Sequence, residues 1–168
     1  IFPKGKDVTL QTEFNNYLST ITDNGYLEDL RSKWFGSSEP TETAIDYDSL
    51  TGDRVLKIGV CSSQKPFVYI KNQKLSGFDI EILTDFARKH NYRVDFEDSE
   101  FSGVLSGVST QKYDMGACGL TITAERRESV DFSNVYHVED LVFVLRKSAN
   151  RKLTLADFQG SDVKVGYA

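Results

Sequence analysis

The sequence predicts an α/β domain, an open and mostly parallel sheet flanked by helices. Three observations carry that expectation. From residue 55 onward, short apolar runs of strand type alternate with segments whose apolar residues recur at helical spacing. That order, strand–helix–strand–helix–strand, is how parallel sheets with right-handed crossovers are built. The chain has 168 residues, 39% of them hydrophobic, enough for one compact domain, or one domain plus an appendage, with a sizeable core.

The elements follow in order. Residues 1–36 read as a short strand and two helices. Leu10, Phe14, Tyr17, Leu18 and Ile21 lie on one helical stripe, with Asp7 or Thr9 available as N-cap. Asn24-Gly25 ends that helix, because both residues tolerate left-handed backbone angles. Leu27, Leu30 and Trp34 mark a second helix, closed by Gly36. Residues 37–54 are expected to be an acidic linker, since the stretch lacks periodicity and is punctuated by Pro40 and Gly52. Asp46, Asp48 and Asp53 read as its solvated face.

Leu56–Val60 is a buried-type strand, followed by a Ser-Ser-Gln-Lys-Pro loop and an extended piece from Phe67 to Ile70. Leu75-Ser76-Gly77 is expected to turn, and Asp79 to cap a helix with Ile82, Leu83, Phe86 and Ala87 inward. Its basic end, Arg88-Lys89-His90, suits the negative pole of the helix dipole. Tyr92–Phe96 is the next strand, then a helix on Val104, Leu105 and Val108, a strand over Asp114–Cys118, and a short helix from about Thr123. Leu141–Leu145 reads as a strand, residues 155–158 as a helical turn and 163–165 as a strand.

Charge and composition narrow the function. With 20 basic and 25 acidic residues the net charge is −5, and the short basic clusters Arg88-Lys89-His90 and Arg126-Arg127 sit among acids. A nucleic-acid backbone needs a concentrated basic patch, so no nucleic-acid partner is expected. No run approaches the roughly 20 apolar residues of a membrane span. The chain opens on Ile1-Phe2-Pro3-Lys4-Gly5 rather than Met and is expected to be a piece of a longer protein. No metal or cofactor is implied, because neither His90 nor His137 has partners at ligand spacing.

The segment Gly119-Leu120-Thr121-Ile122-Thr123-Ala124-Glu125-Arg126 follows a buried strand and runs into a helix start. It therefore lies at the carboxyl edge of the sheet, where open α/β folds place ligands. Exposed N–H groups favour an anion there, and Arg126 can grip a carboxylate with two parallel bonds. Thr121 adds a hydroxyl, and Gly119 permits close approach. The competing reading is a capped helix whose Arg126 pairs with Glu125, Glu128 or solvent.

At these residues the sequence resembles family-3 periplasmic solute-binding proteins, the polar amino-acid receptors of ABC importers. The elements occur in order as Leu56–Val60, Pro66-Phe67, Gly77-Phe78-Asp79, Phe101, Asp114, Gly119 through Arg126, and Asp131-Phe132-Ser133. The resemblance implies one lobe of a type II periplasmic-binding-protein fold over 55–145, with 146–168 crossing to and beginning a second lobe. It also implies that Arg126 binds the ligand α-carboxylate with help from Thr121. Gly119 would accept from the α-ammonium, and Phe101 would stack on the ligand side chain. Where the family often has an acid at the end of the first strand, this chain has Cys61. Where it has an aromatic clamp it has Gln64, and Glu100 beside Phe101 restores an acid nearby.

The resemblance further implies an extracellular or periplasmic location with membrane attachment, an ABC permease as partner, and a role in binding rather than catalysis. A ligand-sensing input domain of a signalling protein is the alternative, and a dehydratase-type enzyme on the same fold a less favoured one. Ile1–Gly5, Phe14-Asn15, Asn24-Gly25 and Lys33-Trp34-Phe35-Gly36 resemble the closing residues of such a protein. Residues 1–36 are thus expected to be the tail of an upstream copy, or the product of permutation, docking on the lobe in cis or by exchange in a dimer. Cys61 and Cys118 would end neighbouring strands, as free thiols or as a disulfide; adjacent parallel strands favour thiols.

Overall fold

A computed structural model of the protein describes residues 1–36 and 44–139. The chain divides into two units, Ile1–His137 and Val138–Ala168, and the architecture below is that of the first. The expected linker residues 37–43, the strand at 141–145, and the crossing and second-lobe elements of 146–168 lie outside the described residues.

The centre is a parallel sheet of three strands in the order β6-β2-β7, with β2 (Arg54–Val60) between β6 (Tyr92–Asp98) and β7 (Met115–Ala117). Leu56, Ile58 and Val60 alternate along β2 into the main core, and Gly59 faces the other way. A Cβ at Gly59 would lie 2.4 Å from the Tyr113 ring, so glycine lets that ring seat against the strand. Helix α3 (Phe78–Lys89) connects β2 to β6 and α4 (Phe101–Ser109) connects β6 to β7. The sheet and its helices agree with the fold class the sequence predicts.

Residues 1–36 lie directly on this framework. Strand β1 (Phe2–Pro3) pairs antiparallel with β8 (Val130–Asp131). Ile1 exchanges two backbone hydrogen bonds with Gly116 of β7, at 2.8 and 2.9 Å. Helix α1 (Val8–Asp23) is capped by Asp7, which accepts from the Leu10 N–H at 2.9 Å. It buries Leu10, Phe14, Tyr17, Leu18 and Ile21, with the Phe14 ring edge-on to Phe86 of α3 at 5.0 Å. Helix α2 (Tyr26–Phe35) starts after Gly25, whose φ of 84° needs the freedom of glycine. Its Lys33 Nζ and Trp34 Nε1 both donate to the Glu81 carboxylate of α3, each at 2.7 Å.

Two local expectations need correction. Lys74–Ser76 is a strand, β5, not a turn; with β3 (Ser63–Gln64) and β4 (Val68–Lys71) it forms an antiparallel sheet of order β3-β4-β5. The reversal falls at Asn72 and Gln73, with φ of 48° and 65°. Asp79 does not cap its own helix, because the cap position is Gly77 and the Asp79 carboxylate points elsewhere. Residues 44–53 are irregular, with Asp46, Asp48 and Asp53 exposed as expected, and the stretch is also pinned to the fold. Leu50 is buried, Tyr47 packs on Phe96 at 5.3 Å and accepts from the Leu75 N–H, and the Gly52 carbonyl accepts from Arg93 Nε at 2.8 Å.

Candidate functional site

Strands β2, β6 and β7 end at one edge, since Val60 stands in register with both Asp98 and Ala117. The residues that follow them, Cys61-Ser62, Ser99-Glu100-Phe101 and Cys118-Gly119, therefore gather at the carboxyl edge of the sheet. Backbone bonds tie these ends together. The Ser99 N–H donates to the Val60 carbonyl at 2.8 Å. Ser62 donates from its N–H (2.8 Å) and hydroxyl (2.6 Å) to the Asp98 carboxylate, which leaves Asp98 occupied.

From β7 the chain enters a turn at Gly119 with φ of +62°, in the left-handed region that favours glycine. A Cβ there would lie 2.7 Å from the Phe67 ring. The N–H groups of Leu120, Thr121, Ile122 and Thr123 meet no acceptor among the described residues. Thr123 then caps α5 (Ala124–Ser129), its hydroxyl accepting from the Arg126 N–H at 3.2 Å. A helix of six residues carries little dipole, so positive charge at this edge comes chiefly from Arg126.

Arg126 is half-buried and held from two sides. Its Nη1 donates to the Thr121 carbonyl at 2.8 Å, and its Cζ lies 5.0 Å from the centre of the Phe101 ring, an attractive cation–π separation. Neither Glu125 nor Glu128 pairs with it, and among the described residues no carboxylate forms an ion pair with this guanidinium. Among the described residues, most of its five N–H donors are thus left without an acceptor.

Of the residues singled out from sequence, Arg126 touches both Phe101 and Thr121, and Gly119 opens the same turn. The other three are near in the fold but make no hydrogen bond or ring contact with that group. Cys61 is buried at 3% exposure with its sulfur 3.1 Å from Ser63 Oγ. Gln64 is half-buried on β3, paired with Val68. Glu100 is exposed at the start of α4 and makes no side-chain capping bond. Cys61 and Cys118 are free thiols, and burial pushes the Cys118 thiol up to about 12.

The sequence pointed to Asp79 as a helix cap and not to its role at this edge. Asp79 is 1% exposed and accepts from the Gly119 N–H through Oδ2 and from the Tyr136 hydroxyl through Oδ1, both at 3.0 Å. Burial raises its carboxyl to about 6, against the pull of those two donors. The available signal was an acid set between the two apolar residues Phe78 and Ile80 at the start of the helix.

Residues 56–161 match the family model of bacterial extracellular solute-binding proteins, family 3. The chain is 31% identical over 117 residues to the arginine-binding extracellular protein ArtP of Bacillus subtilis, covering 70% of this chain and 46% of that one. It is 30% identical over 110 residues to a probable histidine-binding protein of Campylobacter jejuni, covering 66% and 43%. Among solved structures, an ancestral arginine-binding protein bound to arginine is 35% identical, with a TM-score of 0.46 over 48% of this chain and 36% of that one. The chain spans just under half the length of the curated relatives it matches.

Proposed function

We propose, for a chain that belongs to the bacterial extracellular solute-binding proteins of family 3, that its strand-end turn grips the α-carboxylate of an amino acid destined for ABC-type import. The observation that carries this reading is Arg126: a half-buried cation, braced on Phe101 and Thr121, with no carboxylate partner among the described residues. A bidentate guanidinium bond and the open N–H groups of residues 120–123 suit a carboxylate. The Gly119 carbonyl is assigned to the ligand ammonium, and Phe101 to its side chain. Gln64 and Glu100 border the same edge, with Cys61 behind them.

The parent protein, in this reading, works outside the cell, is attached to the membrane and delivers its ligand to a permease. Its role is binding, as the names of the curated relatives have it. Residues 1–36 are assigned as the closing strand and two helices of an upstream solute-binding domain, and 37–54 as the linker. Residues 55–145 are assigned as lobe one and 146–168 as the crossing into lobe two. The antiparallel pairing of β1 with β8 and the Ile1–Gly116 hydrogen bonds support that division.

Calorimetry of the full-length protein with L-arginine, L-histidine and L-glutamine tests the function. Saturable heat from at least one is expected; silence from all, with no thermal shift across the common amino acids, would remove the proposal. The 168-residue chain alone, with under half a receptor's length, is expected to bind weakly. Micromolar binding by it as a monomer would contradict the half-site reading.

A further inference from the structure

We propose that Asp79 is the positioning residue of the carboxylate-gripping turn, fixing the Gly119 peptide and fastening that turn to Tyr136. The proposal rests on the functional reading above for what the turn binds, but not for the geometry.

Asp79 sits in the first turn of α3 at 1% exposure, and both its oxygens are used. Oδ2 takes the Gly119 N–H and Oδ1 the Tyr136 hydroxyl, each at 3.0 Å. A buried acid is a weak source of stability compared with an apolar side chain of the same size. What it supplies here is direction. Gly119 is confined on one side by the Phe67 ring and anchored on the other by the carboxylate, which sets where the backbone of 120–121 leaves the sheet. The Thr121 carbonyl that holds Arg126 lies two residues further on.

Tyr136 brings a second element to the same anchor. Its ring lies 5.9 Å from Phe78, and its carbonyl accepts from Arg31 Nε at 3.2 Å and Nη2 at 2.8 Å. The neighbouring carbonyl of Phe132 accepts from Gln11, and the Asn134 N–H donates to Asn15. The 132–136 segment is thus clasped by α1 and α2 and bolted to the binding turn through one carboxylate. The titratable groups facing Asp79 are the Tyr136 hydroxyl and the Cys118 thiol, together with the Ile1 nitrogen where it is a free amine rather than a peptide amide.

The test uses Asp79→Asn, Asp79→Leu and Tyr136→Phe in the full-length protein, with two readouts. The first needs no ligand: the Gly119 amide resonance followed from acid to neutral pH. In the wild type it should titrate with a midpoint near 6; Asp79→Asn should abolish the titration, and Tyr136→Phe, which removes a donor to the carboxylate, should raise the midpoint. The second is affinity for L-arginine. Asparagine can still accept from Gly119 and donate to the Tyr136 oxygen, so Asp79→Asn should lose at most about threefold, and Asp79→Leu about tenfold or more. A Gly119 resonance indifferent to pH in the wild type, or Asp79→Leu binding as tightly as the wild type, overturns the proposal. If the wild type binds no amino acid, the Gly119 titration still decides the role of Asp79, and the failure belongs to the functional reading.

Discussion

The Arg126 guanidinium stands 5.0 Å from the centre of the Phe101 ring, and a 2.8 Å bond to the Thr121 carbonyl stops it from swinging away. A cation so braced has already lost its rotamer freedom before a ligand arrives, which lowers the cost of binding. Arg126→Ala should weaken amino-acid binding by the full-length protein at least about a hundredfold, the loss of a charge-assisted bidentate contact. Arg126→Lys should not restore it, because an ammonium cannot serve Thr121 and a carboxylate in one plane. Lys112→Ala is the control: Lys112 is engaged with Glu97 and the Tyr113 hydroxyl and should leave the calorimetric affinity unchanged. Equal affinity of wild type and Arg126→Ala would take Arg126 out of the site.

Gly119→Ala tests the turn from its other side. The φ of +62° opposes a side chain, and so does the Phe67 ring, 2.7 Å from where the alanine methyl would sit. Strain of roughly 1–3 kcal/mol is expected, visible as a lower urea midpoint, together with a loss of amino-acid affinity. Unchanged stability and affinity would mean that the turn relaxes freely.

Glu81 tests how the amino-terminal helices are held. It accepts from both Lys33 and Trp34 at 2.7 Å, with about a fifth of its side chain exposed. Glu81→Ala should cost on the order of 2–3 kcal/mol in chemical denaturation, since it strands the indole N–H and a half-buried ammonium. Glu81→Gln keeps an acceptor for Trp34 and should cost less. Identical denaturation curves for Glu81→Ala and wild type would show that apolar packing alone secures α2.

The pH dependence of stability should carry the mark of Asp79. Its folded-state carboxyl is raised from 3.8 to about 6, so the folded chain binds that proton more tightly than the unfolded chain does. Between about pH 4 and 6 the wild type should therefore lose stability relative to Asp79→Asn as pH rises, by up to roughly 3 kcal/mol, with a flat difference above. The sign is opposite for Asp7 and Asp131, whose carboxyls are held low by partners: their contribution is lost as pH falls through the acid range. A wild-type minus Asp79→Asn difference that does not change across this window would refute the raised carboxyl.

Much of the architecture was legible because its signals are short-range. Asp7 lies three residues from the N–H it caps, and Thr123 three from the Arg126 N–H. The stripe Leu10, Phe14, Tyr17, Leu18, Ile21 is buried as its spacing foretells. The β3-β4-β5 sheet was harder to see, because its reversal uses Asn72 and Gln73 in left-handed conformations without a glycine. The anchoring of 44–53 was invisible for another reason. Tyr47 and Leu50 look like isolated apolar residues in an acidic run until Phe96 and the β5 backbone are brought beside them.

By itself the sequence determined the local chemistry: where helices start and stop, which strands are buried, and that a Gly-Leu-Thr-Ile-Thr turn carries an arginine. Only the tertiary structure decided what those groups face. Asp79 meets Gly119 forty residues away and Tyr136 fifty-seven away, and Arg126 is braced by Phe101 rather than paired with Glu125 or Glu128. The physical reason is range. Periodicity and capping are settled among neighbours within a turn or two, whereas the partner of a buried charge is chosen when distant elements close over it and exclude water.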